Sequence, residues 1–586
     1  MPVVKAASGV FARSRRRLSA SSSVTWNRCS RDWFLTRRMG MQVPAHPEMI
    51  LGHVIEEGVI RLLMHRIPND PSIADIDTLS VWLLEMVTEA TEEAMADLRK
   101  RWKNHIWTAE ERDIEEIDDE RVSTMLENGV KMQIEVAKQC LQAGGGPHLE
   151  AFRRDGDPFG TPAPCWDEQP ANPGEPAGRT AGDGWAAAGE PCTLWEAWEI
   201  ARPWMKDPRV DAAQRLYHPE RWAAGELDVA HRWSGNVEIV DIKANKGKYK
   251  NLSGVATQLR FYQWLWYCTR THEGRTPSRV EEGAVTALKS WHMADAFLHE
   301  ADLIPADELD AEGKKLRELH QKMTAAGISD LCLDADSPSE DGLLPCPHCH
   351  GHSTCDYPRA GAGEHPMHSL LSDTSGMNPV GPPFAPIGEL PSRVNIRGRL
   401  HGHWGPLPNH FGEGVCGAAV TAGEKTAVIE EMGVGLHPNI SDSNGDVVIS
   451  GAAPGQWRGM VRFYLDSRSE IFSADDAGDL EVTRLGLVPT RANVAGMVVS
   501  RGATSGVGVN GRQWSMSIAH IWDGTGLVEV VAFGRGRSES FDALRVGNEI
   551  RLVAAELGWR EGIAQLRIDP RNTRLTVESK PPSEAS

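Results

Sequence analysis

Carboxylates and a lysine lie close together in a segment that is predicted to form a hairpin, GELDVAHRWSGNVEIVDIKANKGKYK. GELDVA and VEIVDIKA are typical of strands, and alternate residues of a strand share a face, so Asp241 and Lys243 point the same way. A two-residue turn at Ser234-Gly235 would place Asp228 directly opposite Asp241. Two carboxylates held that close need a cation, and oxygen ligands favour Mg²⁺ or Mn²⁺. Lys243 beside such a metal would orient the attacking water and stabilise charge on a phosphoryl group.

These residues also have a purely structural interpretation. Asp-x-Lys triplets occur by chance, and a lysine at a strand edge is a common protection against aggregation. The run that follows, GVATQLRFYQWLWY, is helical in pattern and has Gln258 and Tyr262 on one face. Phe261, Leu265 and Trp266 would give the same helix a core stripe.

Three cysteines form a second group of potential ligands, in the segment LPCPHCHGHSTCDYP. Their spacing is C-x2-C-x5-C, at Cys346, Cys349 and Cys355. Three thiolates need a fourth ligand: a local histidine (His348, His350 or His352) would complete a zinc site, whereas Cys29 would close an iron–sulfur cluster. The cysteines alone favour zinc.

Composition sets the wider limits. The 586 residues include 62 Lys and Arg against 81 Asp and Glu, a net charge of −19. The length predicts roughly three or four domains. The acidic balance argues against a nucleic-acid partner, although a net charge averages over domains. No apolar run reaches the ~18–20 residues that cross a bilayer. The ten cysteines are too few for a secreted disulfide scaffold, so we expect a cytoplasmic protein with no membrane partner. No P-loop motif occurs, which excludes a P-loop motor in this chain.

The elements that must position these residues fall into blocks. Apolar periodicity predicts helices from Pro47 to about Leu141, with a helical insertion over about 66–145 and a Gly/Pro-rich loop over about 146–190. A strand pair and a helix follow, up to about Arg270. A linker at 361–392 then separates this first domain, 1–360, from two β-rich blocks at 393–485 and 488–580.

In this order the motifs resemble RecB-like nucleases of the PD-(D/E)XK superfamily. The branch is the iron–sulfur one, which includes the AddB nuclease domain and the CRISPR-associated RecB-like exonucleases. The resemblance rests on LSASSSVTWNRCSRDWFL near the N-terminus, the strand aspartate, the D-x-K triplet, the Q-x3-Y helix and the cysteine spacing. It covers roughly residues 18–65 and 220–360. It implies an α/β, restriction-endonuclease-like core with a helical insertion.

The resemblance also implies roles for single residues. Asp228 and Asp241 would bind Mg²⁺ or Mn²⁺, and Lys243 would assist water attack. Gln258 and Tyr262 would position the DNA strand. The thiolates expected to hold a 4Fe–4S cluster, in place of zinc, are those of Cys29, Cys346, Cys349 and Cys355.

The first helix departs from the family pattern. Members usually carry G-x-x-x-H there, with the histidine on the metal, whereas this chain has Gly52-His53-Val54-Ile55-Glu56. Residues 53 and 56 share a helix face, so either His53 or Glu56 could reach the metal. We favour Glu56 as the third metal ligand and as a catalytic residue, because a carboxylate suits Mg²⁺ or Mn²⁺.

The last block predicts an all-β OB barrel. Five strand-like runs occur there, with a helix-like SESFDALR between the third and fourth. The Asp523-Gly524-Thr525-Gly526 hairpin and the Leu544-x2-Gly547 entry into the fourth strand resemble the RPA-type single-strand-binding OB-fold. The residues expected to bind single-stranded DNA are Trp514, Phe533, Arg535, Arg537 and Trp559. Alternatively, the aromatic rings fill the barrel and the arginines are solvated. Residues 393–485 can be interpreted as a second, degenerate OB barrel.

Together these features predict a Mg²⁺- or Mn²⁺-dependent deoxyribonuclease, a single-strand exonuclease of DNA repair or recombination. Its OB module would bind single-stranded DNA, and a helicase or another recombination protein would supply unwinding. One alternative is a catalytically inactive single-strand-binding scaffold with a nuclease-like fold. Another is a zinc-containing nucleic-acid-binding protein.

Overall fold

The computed structural model describes most of the chain outside the long Gly/Pro-rich and cysteine-rich segments. The described residues are 17–41, 45–64, 72–73, 75–105, 114–155, 185–202, 204–205, 215–248, 252–271, 284–325, 384–408, 414–431, 440, 445–457, 460–466, 468–507, 513–534, 539–560 and 563–578. Among them, no helix is both long enough and apolar enough to cross a bilayer.

Helices occupy much of the range from Pro47 to about Leu141, as the apolar periodicity predicts, and others lie outside it. They are α1 (Ala20–Arg28), α2 (Ser30–Trp33), α3 (Pro47–Met64), α4 (Ile76–Asn104), α5 (Asp119–Gln142), α6 (Leu149–Asp155), α7 (Leu194–Ala201), α8 (Ser253–Thr271), α9 (Leu309–Ala325) and α10 (Glu539–Asp542), with a π-helical turn at Phe34–Arg38. Ser19, Asp75 and Thr193 begin α1, α4 and α7 with capping boxes, which supply partners for amides at the helix start.

A mixed five-stranded sheet forms the centre of the N-terminal domain. Its strands are β1 (Trp204–Met205), β4 (Val229–His231), β5 (Val237–Lys243), β6 (Val285–His292) and β7 (Phe297–Ala301), in that order, and β2 (Arg215–Tyr217) with β3 (Ala224–Glu226) forms a separate hairpin. Strands β5 and β6 are parallel, and α8 is the crossover helix that joins them. The other neighbours in this sheet are antiparallel.

Alternation along β5 gives the sheet two different faces. Val240 and Ile242 pack into the hydrophobic cluster formed with α3, α4, α5 and α7. Val237 and Ile239 pack on the opposite side, in the cluster that includes α1, α8 and α9. The period of two therefore assigns Asp241 and Lys243 to the α8 side, at the carboxyl end of the strand.

The C-terminal half contains two barrels with the same strand order. The strands of the first are β8 (Val394–Pro408), β9 (Gly414–Ala422), β10 (Lys425–Glu431), β11 (Asp446–Trp457) and β12 (Met460–Leu465), with β13 (Glu470–Ser473) beside β11. Those of the second are β14 (Arg491–Val507), β15 (Gln513–Trp522), β16 (Leu527–Phe533), β17 (Glu549–Arg560) and β18 (Ile563–Arg567), with β19 (Arg574–Glu578) beside β17.

Each barrel runs first, second, third, fifth, fourth and back to first. The third and fifth strands are parallel in both: β10 with β12, and β16 with β18. Pairing of β8 with β11 and of β14 with β17 closes the barrels. In the second barrel α10 lies between the third and fourth strands, as predicted. This topology is compatible with an OB-fold.

Two segments predicted as irregular are partly structured. The Gly/Pro-rich loop predicted from 146 contains α6, because Phe152 is fully buried and Arg153 pairs with Glu196 at 2.8 Å. The linker predicted over 361–392 is described from residue 384 onward. There Ile387 and Leu390 join the core of the second barrel, and the Ile387 amide donates to Asp523 Oδ2 at 2.8 Å. The remainder of the linker lies outside the described residues.

The second barrel packs directly on the N-terminal domain. Val499 and Trp522 belong to the same hydrophobic cluster as Trp33 and Phe34. His520 Nε2 lies 3.0 Å from the Met39 carbonyl oxygen, which follows the π-helical turn. The outer face of β15 is therefore partly covered by the segment that carries Cys29.

Candidate functional site

The register of the β4–β5 hairpin is the predicted one. Val229 pairs with Val240 and His231 with Glu238, so the pairing is centred on Ser234-Gly235. Gly235 has φ +86°, a conformation that glycine adopts without strain. Extending the register by one residue places Asp228 opposite Asp241. Both side chains are buried, and the Ile242 amide donates to Asp228 Oδ2 at 2.9 Å.

Helix α8 covers this pair with polar side chains. Gln258 Nε2 donates to Asp241 Oδ1 at 3.1 Å and to the Tyr262 hydroxyl oxygen at 3.0 Å. Lys243 Nζ lies 2.6 Å from Asp241 Oδ2 and 3.5 Å from Gln258 Oε1. Tyr262 also packs in the hydrophobic cluster on this side of the sheet. The α8 residues thus serve both the core and the polar cluster, so the two sequence interpretations are compatible.

Glu56 interacts electrostatically with the aspartate–lysine cluster. The Glu56 side chain is half-buried, and its charge acts on Asp228, Lys243 and Tyr262. His53 is exposed. Next to Glu56 along α3, Glu57 pairs with Arg101 at 2.7 Å and so belongs to the packing of α3 on α4.

Burial and crowding of charge perturb the ionisable groups. Burial, and then the negative charges of Glu56 and Asp241, raise the pKa of Asp228 well above its ordinary value. Burial alone would lower the pKa of Lys243, but attraction to Asp241, Asp228 and Glu56 raises it. Burial and the charges of both aspartates raise the pKa of Tyr262 well above its ordinary value. Three carboxylates thus surround one lysine, an excess of negative charge that a cation would neutralise.

The donor set suits a hard cation, although its oxygens do not converge on one point. Among the described residues, no three His, Cys, Asp or Glu side chains surround one point as metal ligands. In this arrangement Asp228 accepts the Ile242 amide and Asp241 pairs with Lys243. The buried Asp241 Oδ2 lies 2.6 Å from Lys243 Nζ, so in this arrangement its charge is paired with the lysine. A cation would replace Lys243 as the partner of this oxygen, and an all-oxygen set fits Mg²⁺ or Mn²⁺ better than zinc.

Two residues near the site were not predicted from the sequence. His292 pairs in register with Lys243 across β5 and β6, and its ring nitrogens lie 2.8 Å from Asn245 Oδ1 and 3.1 Å from Ser290 Oγ. Asp295 accepts the amides of Gly247 and Lys248, each at 3.1 Å, and so fixes the loop after β5. The signal for His292 was its place at the carboxyl end of a parallel strand next to β5, where sites in α/β sheets form.

Cys29 is the member of the predicted iron–sulfur set that lies in the described part of the chain. It is buried, caps α2, and its Sγ accepts the Asp32 amide at 3.2 Å. Hydrogen bonds of this kind occur at the sulfurs of iron–sulfur ligands. Cys346, Cys349 and Cys355, and the neighbouring histidines, lie outside the described residues.

The predicted DNA-binding residues of the second barrel are only partly described. Phe533 is 48% exposed at the end of β16, and Trp514 is half-buried against Met516, Ile518 and Val531. These side chains lie on the outer face, because the alternate residues Ala519 and Ala532 are in the barrel core. Trp559 pairs with Ala564, but its side chain is outside the described part; so are Arg535 and Arg537.

Comparison with known proteins returns only structural similarities. No protein-family model and no curated protein matches the chain. A replication protein A heterotrimer bound to ssDNA matches with 15% identity over 34% of this chain and 52% of that chain, at a TM-score of 0.14. The p204 HINb domain matches with 16% identity over 32% of this chain and 97% of that one, at 0.12. A murine DNA-binding protein bound with double-stranded DNA matches with 17% identity over 33% and 100%, at 0.13.

This chain spans about half of the replication protein A chain that it matches. TM-scores of 0.12 to 0.14 do not define a fold. The assignment of OB-type barrels therefore rests on the strand order and pairing described above.

Proposed function

We propose that this protein is a metal-dependent nuclease that hydrolyses phosphodiester bonds in DNA and holds single-stranded DNA on its second barrel. One observation carries the proposal: Asp228, Asp241 and Glu56 approach Lys243 at the carboxyl end of β5, beneath Gln258 and Tyr262 of α8. Asp241 is on β5, Asp228 directly precedes β4, and Glu56 is on α3. A chance Asp-x-Lys triplet would not have its charge partners gathered from segments far apart in sequence.

The side chains have separate tasks in this proposal. Asp228, Asp241 and Glu56 would hold the cation, which would supply Lewis-acid chemistry at the phosphodiester. Lys243 moves from Asp241 towards the reacting phosphate, where its charge stabilises the developing negative charge. Gln258 keeps Asp241 oriented, since it donates to Asp241 Oδ1.

In this proposal the second barrel binds single-stranded DNA. Exposed rings on an OB barrel stack on bases without reading their sequence, and the second and third strands form the usual ligand face. Phe533 and Trp514 occupy that face here, on β16 and β15. A single-strand exonuclease that trims ends in repair or recombination, with unwinding left to a helicase partner, uses both parts.

Cys29, Cys346, Cys349 and Cys355 would hold a 4Fe–4S cluster with a structural role. The buried position of Cys29 and its amide hydrogen bond suit a thiolate ligand. The cluster would connect the start of the nuclease domain to its end and takes no part in hydrolysis. Anaerobic purification followed by a visible spectrum and metal analysis tests it. A colourless protein with stoichiometric zinc would refute the iron–sulfur assignment.

The decisive test of the function is cleavage by the full chain. Labelled single- and double-stranded oligonucleotides are incubated with Mg²⁺, Mn²⁺ or a chelator, and wild type is compared with Asp241→Asn. Glu238→Gln is the matched control, because Glu238 lies on β5 and pairs with Lys289 on β6 at 2.6 Å. We expect cleavage by wild type and by the control only. Absence of cleavage by wild type with either metal overturns the proposal.

A second candidate function is binding without cleavage. It is favoured by the close Lys243–Asp241 ion pair, which ties up the oxygen that a metal would need. A wild-type protein that binds single strands, never cuts them and is indifferent to Asp241→Asn would establish it.

A further inference from the structure

A basic cavity lies on the N-terminal domain, apart from the carboxylate cluster. Its volume is about 380 Å³, and its walls come from the start of α1, the π-helical turn and the end of α9. The polar lining includes Arg17, Arg37, Arg38, Ser19, Thr36 and His320. No side chain of the carboxylate cluster contributes to its lining, so it is a separate site.

The charge of the cavity contrasts with that of the chain. Its described lining contains three arginines and a histidine, and no Asp or Glu, in a protein of net charge −19. Arg17 donates from Nε to the Arg221 carbonyl oxygen at 3.0 Å, and its guanidinium lies 4.9 Å from the centre of the Tyr217 ring. These contacts orient Arg17 without neutralising it. Arg37 is exposed, and Arg38 donates to the Thr324 carbonyl oxygen at 3.4 Å.

The segment that lines the cavity also packs against the second barrel. Gly40 and Met41 line the cavity, and the residue before them, Met39, contacts His520 on β15. His520 shares the outer face of β15 with Met516, which pairs with Phe533. His520 is four positions after Met516 on β15, a distance of about 13 Å at about 3.3 Å per residue. A single DNA strand whose base stacks on Phe533 would therefore need only a few more nucleotides to reach the cavity.

We propose that this cavity binds a phosphate group in the backbone of a single strand that continues from the rings of the second barrel. The inference rests on the proposed strand-binding function and names a second contact for it. Guanidinium groups form paired hydrogen bonds with phosphate oxygens, and hydroxyls such as those of Ser19 and Thr36 add further donors. Such contacts fix the path of the strand and do not read its bases.

The test is salt-dependent binding of a labelled oligothymidylate to the full chain, measured by fluorescence anisotropy without divalent metal. Arg37→Ala with Arg38→Ala should weaken binding about tenfold. It should also reduce the slope of log affinity against log salt by about 0.7 for each phosphate that no longer pairs with an arginine. Arg37→Ala alone should show part of the effect. Because the Arg37 side chain is exposed, this variant should fold normally, and weaker binding would reflect the lost contact. Arg99→Ala is the matched control, since Arg99 is 54% exposed on the helical insertion.

The outcomes separate this inference from the function on which it rests. If Phe533→Ala weakens binding while the arginine variants bind with wild-type affinity and slope, the cavity assignment is overturned and strand binding stands. If wild type binds no single strand, the proposed function itself fails. Inorganic phosphate serves as the probe for a free-anion site. Suppose that phosphate raises the thermal midpoint of wild type but not of the double variant, while both proteins bind the oligonucleotide equally well. The cavity then binds a free anion, and its assignment to the DNA backbone is overturned.

Discussion

Replacing Asp241 by Asn separates a functional carboxylate from a structural ion pair. Asn has the same shape, and its side-chain oxygen can still accept from Gln258 Nε2, as Asp241 Oδ1 does at 3.1 Å. Its NH2 group then replaces Oδ2 opposite Lys243 Nζ, so the lysine turns towards the remaining carboxylates. The substitution removes one negative charge from a cluster of three carboxylates around one lysine. If the cluster binds a catalytic metal, cleavage should fall on the order of 10³-fold, about 4 kcal/mol of transition-state stabilisation.

Stability should respond differently. Breaking an ordinary buried ion pair costs about 3–5 kcal/mol, because a buried charge is left without a partner. Here Lys243 keeps Asp228 and Glu56, both of which attract it, and Asp228 loses a repulsive neighbour. The free energy of unfolding of the metal-free protein should therefore change by only about 1 kcal/mol, a few degrees in the thermal midpoint of a domain this size.

The assay pairs Mn²⁺-dependent cleavage with thermal denaturation in a chelator, for wild type, Asp241→Asn and Glu238→Gln. Glu238 and Lys289 form an ion pair across the same two strands, in which Glu238 is 29% exposed and Asp241 only 2%. The control should lose some stability and keep its activity. The reasoning is wrong if Asp241→Asn lowers the free energy of unfolding of the metal-free protein by several kcal/mol, or if the variant cleaves DNA as fast as wild type.

Three further predictions concern Lys243 in the carboxylate cluster, and Phe533 and His520 on the second barrel. Lys243→Gln should lower the rate of cleavage about 10²–10³-fold, because the lysine stabilises developing charge. It should also lower the Mn²⁺ concentration for half-maximal activity, because the ion pair with Asp241 no longer competes with the metal; a higher Mn²⁺ requirement would contradict this. Phe533→Ala should weaken single-strand binding by about 1–3 kcal/mol, measured by anisotropy, whereas Leu487→Ala, 71% exposed in a turn outside the barrel strands, should not. Burial lowers the pKa of His520 to about 4, below the ordinary 6.5, so the unfolded chain binds a proton that the folded chain does not. Stability should therefore fall as pH drops from about 6.5 to about 4, by at most about 3 kcal/mol, and denaturation at several pH values should show a smaller loss in His520→Gln.

The charge of the whole chain was a poor guide to its surface. A net charge of −19 argues against a nucleic-acid partner, yet the described cavity beside the second barrel is lined by arginines and no carboxylate. Part of the acidic excess belongs to α4 and α5, which together contain ten Asp and Glu against seven Lys and Arg. Net charge sums over surfaces that never meet the same ligand.

Local rules explain what could be predicted at the site. The register that sets Asp228 opposite Asp241 follows from the turn at Ser234-Gly235, and the shared face of Asp241 and Lys243 follows from the period of a strand. No local rule decides whether His53 or Glu56 approaches the aspartates, because this depends on how α3 is rotated about its axis as it packs beside β5. His292 reaches Lys243 through a parallel pairing whose register no turn specifies.

The sequence by itself determined the helices, the β4–β5 hairpin, the turn at Asp523 and the strand runs of the last barrel. Each depends on periodicity or turn chemistry within a few residues of chain. Only the tertiary structure decided that Glu56 joins the aspartates, that 384–390 packs on a barrel, and that the outer face of β15 meets the segment after Cys29. The physical reason is that these contacts join segments tens to hundreds of residues apart. Their partners are selected by how the hydrophobic clusters of the whole chain pack, and no local pattern carries that information.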